Sequence, residues 1–326
     1  MSKQRHSVLF AAAVAASACV QSAPVSAQEW PTRPVRIVVP NGPGGGTDIV
    51  SRILGQALSE VLGQPFVIEN KPGAGTTLGA NQVAKAEKDG HTALMMSNAH
   101  AVSGASYKTL PYHPVKDFQM VSMVGTVSLI LVTAPNFPPK TVKELVDTAK
   151  ANPGKYNFAS VGAGTTQHFA GELFRVLSGT DIKHVPYRTT PAALTGLLGG
   201  EVHMTVELVP AVQGQIASGN LRALAVTSPE RSASMPDLPT LQEAGVANYN
   251  VTSWYGLAMP GGTPTPIIDK LNKAMREVMA RKAVQDQILK TGIVVKSSTP
   301  QELESHVAAE IKKWSDLMKA AGIAQE

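Results

Sequence analysis

Val35-Arg36-Ile37-Val38-Val39-Pro40-Asn41-Gly42-Pro43-Gly44-Gly45-Gly46-Thr47-Asp48 is a β-rich run that empties into a glycine loop. Directly after it, Ile49, Val50, Ile53, Leu54, Ala57, Leu58, Val61 and Leu62 recur with the spacing that gathers them on one face of an α-helix. The reading is strand, loop, helix. Glycines let a backbone approach a ligand closely, and the first turn of a helix offers unpaired N–H groups at a positive dipole end. Both favour a bound anion. An ordinary tight βα turn carries the same letters, so the stretch takes its meaning from the rest of the chain.

The next segment repeats the device. Phe66 to Glu69 is a short strand, Asn70-Lys71-Pro72-Gly73-Ala74-Gly75-Thr76-Thr77 a second glycine loop, and Ala80, Val83 and Ala84 sit on the helix after it. Thr92 to Met96 is a third strand ending at Ser97-Asn98. This is βαβαβ with short connections, the mark of a parallel sheet covered on both faces, whose ligands lie beyond the carboxyl ends of the strands. The loops at Gly44, Gly75 and Ser97 all fall at that edge. Tyr107 to Asp117, with Pro111 and Pro114, reads as loop, and Val121 to Thr133 as a long strand with Gly125 in its middle. It is long enough to leave one lobe and enter another, with the crossing near Ser128.

The second half uses the same grammar. Thr141-Val142-Lys143-Glu144 has the spacing of a capping box, and the helix it opens ends near Asn152-Pro153-Gly154. Tyr156 to Ser160 runs into Val161-Gly162-Ala163-Gly164-Thr165-Thr166, and Phe169, Leu173, Phe174 and Leu177 share a face of the next helix. Ile182 to Tyr187 is a strand that leads through Arg188-Thr189-Thr190-Pro191 into a helix ended by Gly199-Gly200. Strands at Val202 to Val206 and Leu221 to Thr227 flank a helix at Val212 to Ala217, and Thr252 to Met259 is the return strand. The remainder is helical, and Thr299, Pro300 and Glu302 supply cap, first-turn proline and reciprocal acid for the last helix. The expected architecture is α/β, a two-lobed fold with mostly parallel sheets flanked by helices in each lobe. Lobe one is residues 28–128 plus 252–326, and lobe two is residues 129–251.

The first residues read as a signal peptide over 1–27: Lys3, Arg5 and His6, an apolar run from Val8 to Val20 too short to span a bilayer, then Val25-Ser26-Ala27. A lipoprotein site at Cys19 is the alternative. Removing Lys3 and Arg5 takes the balance from 29 Lys+Arg against 24 Asp+Glu to 27 against 24. That charge is mild and free of like-charge blocks, which argues for no nucleic acid and no membrane surface. Cys19 is the only cysteine, so a chain cut after Ala27 has no disulfide, thiolate nucleophile or Cys-based metal site. About 300 remaining residues exceed what one core usually serves.

Chemistry is hard to find. Gly42-x-Gly44-x-x-Thr47 lacks the third glycine of a dinucleotide site, no P-loop occurs, and no G-x-S-x-G elbow marks a hydrolase. Ser160, His168 and Asp48 are the one nucleophile set that could meet across a cleft, without an accompanying base-orienting pattern. The histidines show no zinc-ligand spacing, and His203 alternates with Val202 and Met204 as a polar-face residue. The chain therefore reads as a binding protein and not an enzyme, with no cofactor and no metal. Asp48, at a helix N-terminus, either caps or touches ligand, and an acid there repels a carboxylate unless a hydroxyl, ammonium or water intervenes. Arg188 is either a bidentate carboxylate partner or a solvated surface residue.

The glycine loop from Pro40 to Asp48, "VIENKPGAG" from Val67 to Gly75, Asp89-Gly90, "YHPVKDF" from Tyr112 to Phe118, "SVGAGTTQH" from Ser160 to His168, Val185-Pro186-Tyr187 and "LRALAVTS" from Leu221 to Ser228 come in one order. In that order the chain resembles the Bug-type substrate-binding receptors of tripartite tricarboxylate transporters, over essentially its whole length after the leader. The resemblance implies a periplasmic Venus-flytrap monomer that holds a small organic carboxylate between loops of both lobes, partly through water. It also implies delivery to the membrane subunits of such a transporter, with a sensing role as the alternative. By matching position it implies ligand-binding residues Gly44, Gly45, Gly46, Thr47, Asp48, Ser97 and Asn98 in the first lobe. In the second it implies Ser160, Gly162, Gly164, Thr165, Thr166, His168, Tyr187 and Arg188. The chain departs from the pattern at Asn41, where an aromatic is usual, at Thr189-Thr190 in place of glycines, at His203, and at Glu207, where the strand usually ends in Asp. Asn41 and Glu207 are counted with the expected site, and Asn41 tilts the ligand toward aliphatic acids.

Overall fold

The computed structural model describes residues 30–162, 164–232 and 235–325. The signal peptide and Cys19 readings lie outside the described residues, as does Ala163.

Strand β1 (Val35–Val39) is buried at Val35, Ile37, Val38 and Val39, so both its faces are covered, as an apolar run without alternation requires. It pairs in parallel with β2 (Phe66–Asn70) on one side and with β3 (Thr92–Ser97) on the other. The connections are α1 (Gly46–Leu62), stopped by Gly63 in the left-handed region, and α2 (Thr77–Ala84) after one tight turn at Ala74–Thr76. A helix absent from the sequence reading comes next, α3 (Asn98–Ser106).

Strand β4 (Phe118–Thr133) organises the rest. From Phe118 to Ser128 it pairs antiparallel with β9 (Thr252–Pro260), and from Leu129 onward with β7 (Met204–Leu208) and β8 (Arg222–Val226). Beside β7 lie β5 (Asn157–Ser160) and β6 (Lys183–Pro186), parallel to one another. The two halves are thus ladders of one mixed sheet, in the order β2-β1-β3-β9-β4-β7-β5-β6. The parallel sheet expected in each half is interrupted where β4 and β9 run antiparallel to their neighbours. A two-residue β10 (Val294–Val295) pairs with β4 at Gly125, where an added Cβ would stand 2.6 Å from the Val294 carbonyl oxygen. That contact explains a glycine in mid-strand.

The helices α4 (Val142–Ala151), α5 (Thr166–Ser178), α6 (Thr190–Leu198) and α7 (Val209–Ala217) cover one half; α8 (Thr265–Ala280) and α9 (Lys282–Leu289) cover the other. The last helix, α10 (Pro300–Ala321), has the expected capping box: Glu302 N–H donates to the Thr299 hydroxyl and Thr299 N–H to the Glu302 carboxylate. Its stripe of Leu303, Val307, Trp314, Leu317 and Met318 is buried against α3 and α5, with the Trp314 ring 5.7 Å from Phe169. Each such side chain contributes about 1.5–3 kcal/mol on burial, so α10 binds the two halves together along one edge.

Candidate ligand-binding site

The loops that leave β1, β2 and β3 face the loop before α5 across a cavity of about 500 Å³, a size that suits a small molecule. Pro40, Asn41 and Gly42 come from the first loop, Pro72 to Thr76 from the second, and Ala99, Ser103, Ser106 and Tyr107 from α3 and its end. Val161, Gly164, Thr165, Thr166 and Gln167 form the opposite wall. Among the described residues no lysine, arginine, aspartate or glutamate lines it. Instead α2, α3 and α5 each place a cap or first-turn residue on its walls, which brings three positive dipole ends to one space, while the last residues of α3 reach it as well. Asn41 Oδ1, an acceptor, and Thr76 Oγ1, which can donate, are buried there without a hydrogen-bond partner among the described residues. An uncharged pocket rimmed by helix starts and neutral polar groups is chemistry for an oxyanion.

The walls are braced from behind. Trp314 Nε1 donates to Asn98 Oδ1 at 3.2 Å, and Asn98 Nδ2 donates to Thr166 Oγ1 at 2.9 Å, so α10, α3 and α5 are tied through one asparagine that is 0% exposed. Thr165 caps α5 by accepting from His168 N–H and donates to the Gly162 carbonyl at 2.7 Å. Gly164, left-handed at φ +76°, gives its N–H to His168 Nδ1 at 3.2 Å. Burial lowers the His168 pKa to about 4, which keeps that nitrogen an acceptor at neutral pH.

The expected site residues divide into three groups. Asn41, Gly164, Thr165 and Thr166 line the cavity. Asn98, Gly162, His168 and Ser160 hold its walls. Ser160 is 0% exposed, bonded to Gly162 and 2.6 Å from His184 Nε2, so its hydroxyl does not face the cavity. Ser97 starts α3 without capping it through its side chain. The others lie elsewhere. Gly44, Gly45 and Gly46 line a separate, mostly apolar pocket of about 440 Å³ with Ile49, Val127, Leu208 and Tyr255. A Cβ on Gly46 would stand 2.8 Å from the Tyr255 hydroxyl, and Thr47 bonds that hydroxyl, so this part of the loop is shaped by Tyr255. Of the opening loop only Pro40, Asn41 and Gly42 reach the larger cavity.

Asp48 resolves toward bracing. Its carboxylate accepts from Arg52 Nε and Nη2 at 3.0 and 2.9 Å, from Gly44 N–H at 2.9 Å and from Asn70 Nδ2 at 3.0 Å. These bonds, led by Arg52, hold its pKa below the usual carboxylate value and leave no lone pair for a ligand. Asp48 and Ser160 with His168 are not assembled into a nucleophile set. Tyr187 donates to Glu201 at 3.1 Å, and Arg188 is exposed with no ion pair among the described residues. Glu207 is 0% exposed on β7, accepts from Gln167 Nε2 at 3.4 Å and Thr190 Oγ1 at 3.2 Å, and burial raises its pKa to about 7. Its Oε1 has no hydrogen-bond partner among the described residues.

Sequence reasoning did not single out Tyr107, Ser103, Ser106, Gln167 or the Gly73 to Thr76 wall, which line this candidate site. The second glycine loop was the available signal, since it falls at the same sheet edge. Tyr107 was not legible, because it stands beyond an unexpected helix. It supplies an aromatic wall to a site whose Asn41 lacks one.

Residues 50–323 match the model of the tripartite tricarboxylate transporter family receptors. The chain belongs to that family. It is 38% identical over 303 residues to the protein BugT of Bordetella pertussis, covering 92% of this chain and 93% of BugT. Among solved structures, the Rhodopseudomonas palustris protein Rpa4515 with adipate is 35% identical with a TM-score of 0.81, covering 90% of this receptor and 99% of that chain. MatC of R. palustris with bound malate is 33% identical with a TM-score of 0.76, covering 88% and 99%. The two-lobed periplasmic-binding-protein fold, and membership of a solute-binding receptor family, follow for this receptor.

Proposed function

We propose that the chain is a periplasmic receptor that captures a small organic carboxylate in the cavity of about 500 Å³ and delivers it to the membrane subunits of a tripartite tricarboxylate transporter. The observation that carries this reading is the convergence of three helix starts on a space that no charged side chain lines among the described residues. Such a space stabilises negative charge through fixed dipoles and N–H groups while admitting only a shape that meets them. Family membership and the adipate and malate of related receptors support the class of ligand.

The change of partner along β4 at Leu129, matched by β9 starting at Thr252, supports two lobes that divide at 128/129 and 251/252. Asn41, Gly164, Thr165 and Thr166 are the proposed direct contacts, with Asn98 and His168 positioning them. The protein acts as a monomer and leaves its ligand chemically unchanged.

A thermal-shift panel of aliphatic dicarboxylates, hydroxy acids, amino acids and aromatic acids tests the ligand class. An acid at about a hundred times its dissociation constant adds about 2.7 kcal/mol to the folded state. Stabilisation by amines or neutral sugars, and by no acid, refutes the reading. Recovery of the stabilising acid intact after long incubation separates receptor from hydrolase. Pull-down of membrane components by acid-saturated protein separates transport from sensing, since capture of a sensor protein alone overturns the transporter assignment.

A further inference from the structure

Beside the strands that join the two halves lies another cavity with unmet polar groups. Thr126 and Ser128 of β4 and Thr252 and Trp254 of β9 line a space of about 480 Å³, bordered by His306 and Glu310 of α10 and by residues 228–232 after β8. It shares no lining residue with the proposed carboxylate cavity. Trp254 Nε1, His306 Nε2 and Glu310 Oε2 are each buried without a hydrogen-bond partner among the described residues, and all three residues border this one space. Trp254 is 1% exposed, and the His306 ring meets it edge-on at 5.1 Å.

Buried polar groups are ordinarily satisfied, so a cluster of unsatisfied ones around a single void describes the molecule that fills it. An indole N–H only donates and a carboxylate oxygen only accepts, so an occupant must offer both an acceptor and a donor. Burial lowers the His306 pKa, and the neutral ring adds a nitrogen of either kind. The other oxygen of Glu310 is taken by Lys313. At the rim, Arg231 is engaged by Glu243, while Lys296 is exposed with no ion pair among the described residues. Glu230 stands on the same rim.

We propose that this cavity is a second small-molecule site, for a small carboxylic acid with a hydroxyl or ammonium group beside the carboxylate. The carboxylate accepts from Trp254 Nε1 and pairs with Lys296, and the hydroxyl or ammonium donates to Glu310 Oε2. Both groups are required because either alone leaves one buried partner unmet.

The chain has 3 tryptophans, and two of their indole N–H groups report on different places: Trp254 on this cavity, and Trp314, bonded to Asn98, on the carboxylate cavity. Nitrogen-15 spectra of the full chain are recorded while glycolate, glycine or acetate is added, with Trp254→Phe identifying the Trp254 resonance. Glycolate or glycine is expected to shift the Trp254 indole saturably, with acetate at least about tenfold weaker and Glu310→Gln weakening the response about tenfold. A shift confined to Trp314 places all binding in the other cavity and overturns the proposal. So does a Trp254 shift equally strong with acetate or unchanged in Glu310→Gln, and so does no shift at all, which means that only water fills the space.

Discussion

Replacing Glu207 with Gln tests how this receptor holds an acid in its interior. Glu207 pairs across the sheet with Ile130 of β4, and no cation contributes to its pKa; burial alone drives it up from 4.5 to about 7. Between those values the native state binds the proton and the unfolded chain does not, so stability falls as pH rises. The contribution is complete below pH 4.5 and is lost as pH passes about 7. At about 1.4 kcal/mol per pH unit, the gap corresponds to about 3 kcal/mol. Five histidines act in the opposite sense. Burial lowers His100, His168 and His184 from 6.5 to about 4, so their contribution is present above 6.5 and is lost as pH falls toward 4. Burial also lowers His203 and His306 below their ordinary value. The wild-type profile is therefore a dome, and its shape alone proves nothing. The amide of Glu207→Gln stays neutral throughout, so subtracting the variant's profile cancels the histidines. Urea unfolding of the ligand-free proteins at pH about 5 and about 9 should show the wild type losing about 3 kcal/mol more than the variant on going to the higher pH. A difference that stays constant within about 0.5 kcal/mol across the range means that Glu207 is ionised in the native protein, and the desolvation argument fails.

Thr166→Val removes the acceptor of Asn98 Nδ2, which is 0% exposed, and should cost about 1–3 kcal/mol in urea unfolding; an unchanged midpoint would remove this bond from the bracing of α5. Asp48→Ala strips an acceptor from Gly44 N–H and Asn70 and should cost about 1–2 kcal/mol while shifting the loop at Asn41, read as weaker stabilisation by the bound acid. Most of that cost lies in the loop bonds, because Arg52 is 54% exposed and its ion pair is screened. Thr299→Ala should lower stability by about 1 kcal/mol through the loss of one half of the α10 capping box, measured by thermal or urea unfolding, and no change would mean that the helix start is held by packing alone.

The strands and helices that sequence reading found are those whose signals are local. Val35 to Val39 is an apolar run closed by Pro40 and glycine, and Thr299-Pro300-Gln301-Glu302 is a cap written in four letters. At Thr141 the same spacing is half used: the threonine accepts from Glu144 N–H, but the Glu144 carboxylate takes Lys140 N–H at 2.7 Å instead. Helix α3 was missed for a tertiary reason. Its Asn98-Ala99-His100-Ala101-Val102-Ser103-Gly104-Ala105-Ser106 has little amphipathic contrast, and a Cβ on Gly104 would stand 3.1 Å from Ile311 of α10. Its small residues fit a helix that is distant in sequence, which no local period records.

The site shows the same division between letters and space. A glycine that admits a ligand and one that admits a side chain from elsewhere look alike in sequence, and Gly46 proves to be the second kind, set by Tyr255. The proposed anion reading does not rest on that helix alone: α5 was recognised from its own glycine loop, and its start borders the cavity with those of α2 and α3. What changes is the source of selectivity. With no charged side chain at its walls among the described residues, the proposed site does not select an acid by a salt bridge in its present arrangement, and Arg188 stands outside it. In the proposed site, discrimination comes from where ligand oxygens fall relative to Thr76 Oγ1, Thr166 and the helix N–H groups, from whether a ligand donor meets the acceptor Asn41 Oδ1, and from the fit against Tyr107. Geometry of this kind is carried by loop conformation and by the Trp314, Asn98 and Thr166 chain that fixes it. A family could therefore keep its fold-bearing motifs and still differ in ligand through a few residues on the cavity wall, among which Asn41 and Tyr107 are the pair to exchange.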